Sequence, residues 1–314
     1  MVQLLDGMST QVLYFVTVNY YSTELIDKLI QSIQAIQDSS TLEYQLIIVN
    51  NSPGDSSIYQ LERESTVILE SGENVGFGAG CNLGLDWVYQ QDSQGIVWLI
   101  NPDTLLGSEG WEKVPNLFVA NPEVSILGTI VYEPTGDLWF AGGVFIPSQG
   151  AILEKNLLSL EADADYVPCD WVTGCSLLIN LGQFSECPTF DPDYFLYYED
   201  FDFCRRYAAQ GHIIGVTPRL SLIHAPSSIT DTQVKDKFKH STYSYLRTME
   251  KYSPKRVLMV RLLRLIAHAL ILSFVKPEMA LGKFAGLAQY CQRSPLIQAL
   301  LSPLKPRGSD VYFG

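Results

Sequence analysis

GIVWLINPDTLL, residues 95–106, is the stretch on which the fold turns. Ile96–Ile100 is a continuous apolar run of strand length, the pattern of a strand covered on both faces. It stops at Asn101, Pro102 and Asp103, so a single carboxylate closes a very apolar strand. Asn, Pro and Asp all favour turns and caps, and on this segment alone a turn is sufficient explanation. The neighbouring segments decide whether Asp103 is more than that.

Toward the N-terminus two periods alternate. Residues 12–18 form an apolar run that suits a strand. Ser22 is placed to cap a helix on which Leu25, Ile26, Leu29, Ile30, Ile33 and Ile36 recur at helical spacing. Residues 44–49 read as a second strand, 57–64 as a short helix, 67–69 as a third strand and 79–91 as a helix. Strand and helix in alternation, with strands apolar throughout, predict a parallel sheet covered on both faces. Such sheets bind ligands outside the carboxyl ends of their strands. Asn19, Asn50, Asn74 and Asp103 all fall at those ends.

Beyond residue 124 the pattern is β-rich. IVYEPTGDLWFAGGVFI suggests a hairpin around 134–137, and DWVTGCSLLI, residues 170–179, a buried strand. Residues 199–210 read as a short helix, IIGVTP and LSLIH as two short strands, and residues from Thr232 onward as mostly helical.

The 314 residues carry a net charge of −13, against the basic surface expected of a nucleic-acid binder. Residues 1–250 hold 11 Lys+Arg against 32 Asp+Glu, whereas residues 251–314 hold 10 against 2. An acidic body with a basic tail implies regions with different partners. Six cysteines without a CxxC pair or zinc spacing look like reduced core thiols. MVQLLDGMST lacks a basic n-region and a long apolar core, so a cytoplasmic protein is expected.

Three positions invite chemistry: Asp103, the acids of YYEDFDFCRR, and His224 in LSLIHAPSS. Glu199, Asp200 and Asp202 equally suit the positive end of a helix dipole, and Asp202 and Arg206 an i,i+4 surface pair. His224 at a strand end equally suits a structural hydrogen bond. The glycine run ENVGFGAGCN is close to a dinucleotide fingerprint, but it follows the third strand rather than the first. That disfavours a nicotinamide-dependent oxidoreductase.

Seven stretches in order, VTVNYYS, LIIVNNS, ENVGFGAGCNLGL, WLINPDTLL, DWVTGCSLLI, FDPDYFLYYEDFDFCRR and LIHAPSS, resemble the inverting family 2 glycosyltransferases, especially the rhamnosyltransferase branch. The resemblance implies an α/β GT-A fold: a Rossmann-like, mostly parallel sheet flanked by helices over residues 1–230, with a helical extension over 231–314. It places a nucleotide-sugar half at about 10–105 and an acceptor half at about 106–230. The donor it implies is a nucleoside diphosphate sugar, dTDP-rhamnose or a UDP-hexose, and the acceptor a saccharide of a bacterial surface polysaccharide, lipid-linked by family habit. Asp103 matches the carboxylate that holds Mn²⁺ or Mg²⁺, with Asn101 in place of the first acid of D-x-D and His224 as a second ligand. Asp200 matches the catalytic base, with Glu199 as a positioning group. Val18, Asn19, Asn50, Asn74 and Gly76 match nucleotide contacts. Asn50 stands where most of the family has an aspartate, and its amide carbonyl is expected to accept the pyrimidine N–H. Trp171 and Gly174 match positions near the sugar, with plain core the alternative for Trp171. A catalytically silent nucleotide-sugar-binding subunit is the other reading of the same residues.

In the tail, VLMVRLLRLIAHALILSFV, residues 257–275, approaches membrane-span length. Arg261, Arg264 and His268 fall on one helical face. Two mid-span arginines cost roughly 2.5–3.5 kcal/mol each, so a helix lying in the interface is expected, with peripheral contact over 255–283 on the cytoplasmic face of the inner membrane. A helix packed on the body or in a dimer is the alternative.

Overall fold

A computed structural model describes residues 12–37, 42–107, 110–160, 164–225 and 234–301. The chain divides into two compact units, Met1–Asp231 and Thr232–Gly314.

The first unit begins with strands β1 (Val12–Asn19), β2 (Glu43–Asn50), β3 (Thr66–Glu70) and β4 (Ile96–Ile100), interleaved with helices α1 (Thr23–Gln37) and α2 (Phe77–Gln91). The four strands are parallel in the order β3-β2-β1-β4. The carboxyl ends of β1, β2 and β3 are flush, because Asn19 pairs with Asn50 and Asn50 with Glu70, whereas β4 pairs with β1 only as far as Val16 and Leu99. Every residue of β4 is buried, as its apolar run requires. On α1, Ile26, Leu29, Ile30, Ile33 and Ile36 form the buried stripe. Helix α2 lies close on β1: a side chain at Gly80 or Gly84 would run into Val18 or Val16.

The sheet then becomes mixed. In chain order follow β5 (Thr104–Leu106), α3 (Val114–Ala120), β6 (Val124–Tyr132), β7 (Leu138–Phe140), β8 (Gly143–Ile146), β9 (Ala151–Glu154), β10 (Val167–Pro168), β11 (Ser176–Asn180), α4 (Glu199–Ala209) and β12 (Ile213–His224). Strand β11 runs antiparallel between β4 and β6, and β12 runs parallel to β6. Strand β7 hairpins onto β6, β5 pairs antiparallel with the end of β12, and β8–β9 form a separate hairpin.

The structure departs from the sequence expectations in local ways. Ser22 sits before α1, but its hydroxyl donates to the Tyr20 carbonyl rather than capping the helix. The expected helix over 57–64 is a short 3₁₀ turn, Ser57–Leu61. The expected strand over 170–179 shrinks to Ser176–Asn180, because Thr173–Ser176 closes a turn. IIGVTP and LSLIH form one strand. Its pairing with β6 breaks between Val216 and Ser221, where Pro218 has no N–H to give the ladder.

In the second unit, α5 (Val234–Tyr252), α6 (Lys255–Val275), α7 (Pro277–Arg293) and α8 (Pro295–Leu301) follow one another, with Pro254 and Pro277 marking two of the breaks. Gly282 and Gly286 let α7 approach the backbone of α5 at Lys235 and Lys239. Tyr243, Leu246, Met249 and Tyr290 are buried. Glu250 joins α5 to the start of α8 by accepting from the Ser294 hydroxyl (2.8 Å) and the Leu296 N–H (3.1 Å).

Candidate active site

The carboxyl ends of β1 and β2 carry a network of amides. Asn19 is fully buried; its Nδ2 donates to Asn50 Oδ1 (3.0 Å), and its Oδ1 accepts the Ser22 N–H (2.8 Å). Asn50 Nδ2 donates to Glu70 (2.9 Å) and to the Asp55 carbonyl (3.2 Å). Asn50 Oδ1, expected to face a pyrimidine, thus faces Asn19 and the Ser52 N–H. Val18 packs against Gly80. These side chains brace one another at the rim of the sheet.

Asn51, Ser52 and Asp55 complete the rim, and the sequence reading singled out none of them. Asn51 Nδ2 donates to Asn74 Oδ1 (3.1 Å) and to the Gly76 carbonyl (3.2 Å), while its Oδ1 accepts the Val75 N–H (2.9 Å). The turn-rich NNSPGDSS was the available signal. Asp55 binds the Ser57 hydroxyl and Asn19, and these hydrogen bonds, the Ser57 one foremost, hold its carboxyl below the usual range.

Gly76 has φ 88°, a conformation open to glycine at little cost. A Cβ there would strike the Phe195 carbonyl oxygen, which accepts the Phe77 N–H at 3.0 Å. The glycine loop is thereby fastened to the segment that leads into α4. Asn82 of α2 adds two hydrogen bonds to the backbone of Phe190 (2.7 and 3.0 Å). The glycines of ENVGFGAGCN therefore serve close packing against Phe195, Phe190 and Val18, which weakens the nicotinamide reading at its only motif.

Tyr197 and Tyr198 both lie in the left-handed region, with φ 70° and 66°. They turn the chain sharply into α4, at whose first turn Glu199 and Asp200 take opposite environments. Glu199 is buried and its Oε2 has no hydrogen-bond partner. Burial, with the Asp200 charge in addition, pushes its carboxyl up, which favours the protonated acid. Asp200 is only partly buried and accepts from Gly174 N–H (2.9 Å) and Phe201 N–H (2.7 Å). Burial raises its carboxyl too, but these two donors oppose the rise and favour the anion. Of the pair, Asp200 is the less buried acid and the one whose carboxylate is held by the Gly174 and Phe201 N–H groups.

Asp103 and His224 meet at the end of the sheet. The β5–β12 pairing sets His224 opposite Thr104, and Ala225 N–H donates to the Asp103 carbonyl at 2.9 Å. His224 Nε2 lies 3.3 Å from Asp103 Oδ1. His224 Nδ1 and, two residues before Asp103, Asn101 Oδ1 are buried without hydrogen-bond partners. A carboxylate, an imidazole and an amide oxygen suit a divalent cation that takes its remaining ligands from a diphosphate. Among the described residues no group of three or more His, Cys, Asp or Glu side chains is placed to hold a metal unaided. The Trp139 ring stands 4.8 Å from that of His224 and walls the site, a residue the sequence reading passed over.

Two hydrogen bonds join these groups, one to a side chain and one within the backbone. Asp200 holds Gly174, and the next residue, Cys175, accepts the Asn101 N–H through its carbonyl (3.2 Å). Burial chiefly raises the Cys175 thiol, and the charges of both Asp103 and Asp200 raise it further, so both carboxylates act on this one position. Burial and Asp200 together also raise Glu154, at the end of β9, which had given no sequence signal. Trp171, by contrast, is buried against Phe140 and Phe201, as plain core would be. Arg205 pairs with Asp170 (2.6 Å) and Arg206 with Asp202 (2.7 Å). Asp202 is fully buried, so this is no surface pair.

Residues 14–176, more than half of the chain, match the sequence profile described as glycosyl transferase family 2. The low-salt glycan biosynthesis hexosyltransferase Agl10 of Haloferax volcanii is 24% identical over 231 residues, covering 70% of this chain and 68% of that protein. Rhamnosyltransferase WbbL of Escherichia coli is 22% identical, covering 67% and 82%. An N-acetylglucosaminyl-diphospho-decaprenol L-rhamnosyltransferase of Mycobacterium tuberculosis is 23% identical, covering 50% of this chain and 58% of its own. Among solved structures, GalNAc-T7 with UDP, GalNAc and Mn²⁺ superposes with a TM-score of 0.55 at 11% identity, over 95% of this chain and 59% of that one.

Proposed function

Starting from the fact that this chain belongs to glycosyltransferase family 2 and has its α/β GT-A fold, we propose that it is a metal-dependent, inverting sugar transferase of surface-glycan assembly. The donor is a nucleoside diphosphate sugar, dTDP-rhamnose or a UDP-hexose, and the acceptor is a saccharide, carried on a lipid. The contact between Asp103 and His224, tied through Asn101, Cys175 and Gly174 to Asp200, is the observation that carries the reading.

The nucleotide half, residues 10–105, binds the donor over the strand ends framed by Asn19, Asn50, Asn74 and Gly76. The acceptor half, residues 106–230, brings the hydroxyl to Asp200. Asp103 and His224, with Asn101 beside them, hold Mn²⁺ or Mg²⁺. Such an ion supplies positive charge to the diphosphate, which a chain of net charge −13 otherwise repels. Asp200 takes the proton of the acceptor hydroxyl as its oxygen bonds to the anomeric carbon. The bond from that carbon to the diphosphate oxygen breaks, and the diphosphate leaves with the electron pair on the opposite face. One displacement inverts the anomeric centre. Glu199, kept neutral by burial, adds no second charge beside the base.

The test is a panel of nucleotide sugars, with and without Mn²⁺, scored for nucleoside diphosphate release with saccharide acceptors. Release that requires the cation and disappears in Asp200→Asn supports the proposal. Binding of a donor with no release under any condition would leave a catalytically silent binding subunit instead.

A further inference from the structure

Helix α6 shows two opposed faces. Val257, Leu258 and Ala269 are buried. On the other side Met259, Leu263, Leu270, Ile271 and Phe274 are exposed, Leu263 at 62% and Phe274 at 91%. At 100° per residue these five fall within roughly a third of the helix circumference, a continuous apolar ridge along its length. Soluble surfaces rarely leave such a ridge bare.

The ridge has an edge of one sign. Arg264 and His268 are exposed beside it, Arg261 lies next to them, and Lys255, Arg256 and Lys276 are exposed at the two ends. Residues 251–277 contain no Asp or Glu. Two copies meeting ridge to ridge would bring these basic edges together, whereas an anionic surface neutralises them. Length and hydropathy alone would let α6 cross a membrane. Arg261 and Arg264 near mid-helix weigh against that, and so does the face at Val257, Leu258 and Ala269, which is already packed in protein.

We propose that α6 lies in the plane of an anionic lipid bilayer, its apolar ridge in the acyl boundary and its basic edge among the headgroups. The inference rests on the second unit alone and stands whatever sugar the enzyme transfers.

The experiment is flotation of the full chain with vesicles of phosphatidylcholine alone or with about a third phosphatidylglycerol. Wild type should float with the anionic vesicles, float several-fold less with the neutral ones, and be stripped by alkaline carbonate. Leu263→Glu and Phe274→Glu should each lose flotation while keeping the wild-type melting temperature and nucleoside diphosphate release. The milder Leu263→Ser and Phe274→Ser should weaken flotation in the same order. Arg264→Gln with Lys276→Gln should lose the preference for anionic vesicles. The proposal is overturned if wild type fails to float, or if the glutamate variants float as well as wild type. Resistance to carbonate would overturn it in favour of a spanning helix. A dimer in light scattering that Phe274→Glu dissolves, with flotation unchanged, would assign the ridge to a second copy.

Discussion

Asp200 and Glu199 are chain neighbours whose carboxyls are both raised by burial. At Asp200 the Gly174 and Phe201 N–H groups oppose that rise, while Glu199 keeps an oxygen with no partner. Asp200→Asn keeps the shape and removes the proposed base. Transfer should fall roughly 10²–10⁴-fold with donor affinity nearly unchanged, as read by kinetics beside calorimetry. A parallel loss of donor affinity would make Asp200 a structural group. Glu199 predicts a pH effect on stability. Its carboxyl is raised above its unfolded value, so the folded state holds the proton more tightly. That stabilisation is complete below the ordinary glutamate range and is lost as pH rises through the raised value. Glu199→Gln should flatten the alkaline fall of the melting temperature. An unchanged pH profile would show that Glu199 is ionised in the fold.

At the scale of elements, the site depends on fastening loops that are distant in sequence. The glycine loop before α2 meets the Tyr-Tyr turn before α4 at Gly76 and Phe195. Gly76→Ala imposes a strained φ and drives a methyl into the Phe195 carbonyl. It should cost about 1–3 kcal/mol in urea denaturation and lower donor affinity as well. Within α4, Arg206 binds the buried Asp202 and also donates to the Thr189 carbonyl. Asp202 is fully buried, while Arg206 is 27% exposed and can turn to water once its partner is gone. Asp202→Ala should destabilise by about 1–3 kcal/mol, against a few tenths for a surface pair, as denaturant titration would show.

For the whole molecule, charge governs the donor. A chain of net charge −13 and a diphosphate repel each other, so donor binding should depend on the cation more than on hydrogen bonds. Removing divalent ions with a chelator should weaken nucleoside diphosphate binding at least tenfold, about 1.4 kcal/mol, and Mn²⁺ should restore it. In Asp103→Ala the restoration should fail. Full Mn²⁺ dependence in that variant would remove Asp103 from the cation site. The second unit is built differently, and α6 turns an apolar ridge outward beside basic residues, which suits an interface rather than a substrate.

Local pattern was enough for the alternation of strand and helix, the polar residues at the ends of the first strands, and the order of the acids that mark the family. Each of these is local: burial on both faces writes an apolar run, and helical burial writes a stripe at spacing 3–4. What each polar residue faces was settled by how the chain packs. Asn50 resembles a base contact in sequence, yet its amide is spent on Asn19, Ser52, Glu70 and Asp55. Asp202 and Arg206 resemble a surface pair, yet the carboxylate is buried. Trp139 and Glu154 were silent in the sequence because strands that return from far along the chain bring them to His224 and Asp200. A side chain's partners across a sheet or loop junction depend on register and crossover, which local periodicity does not encode.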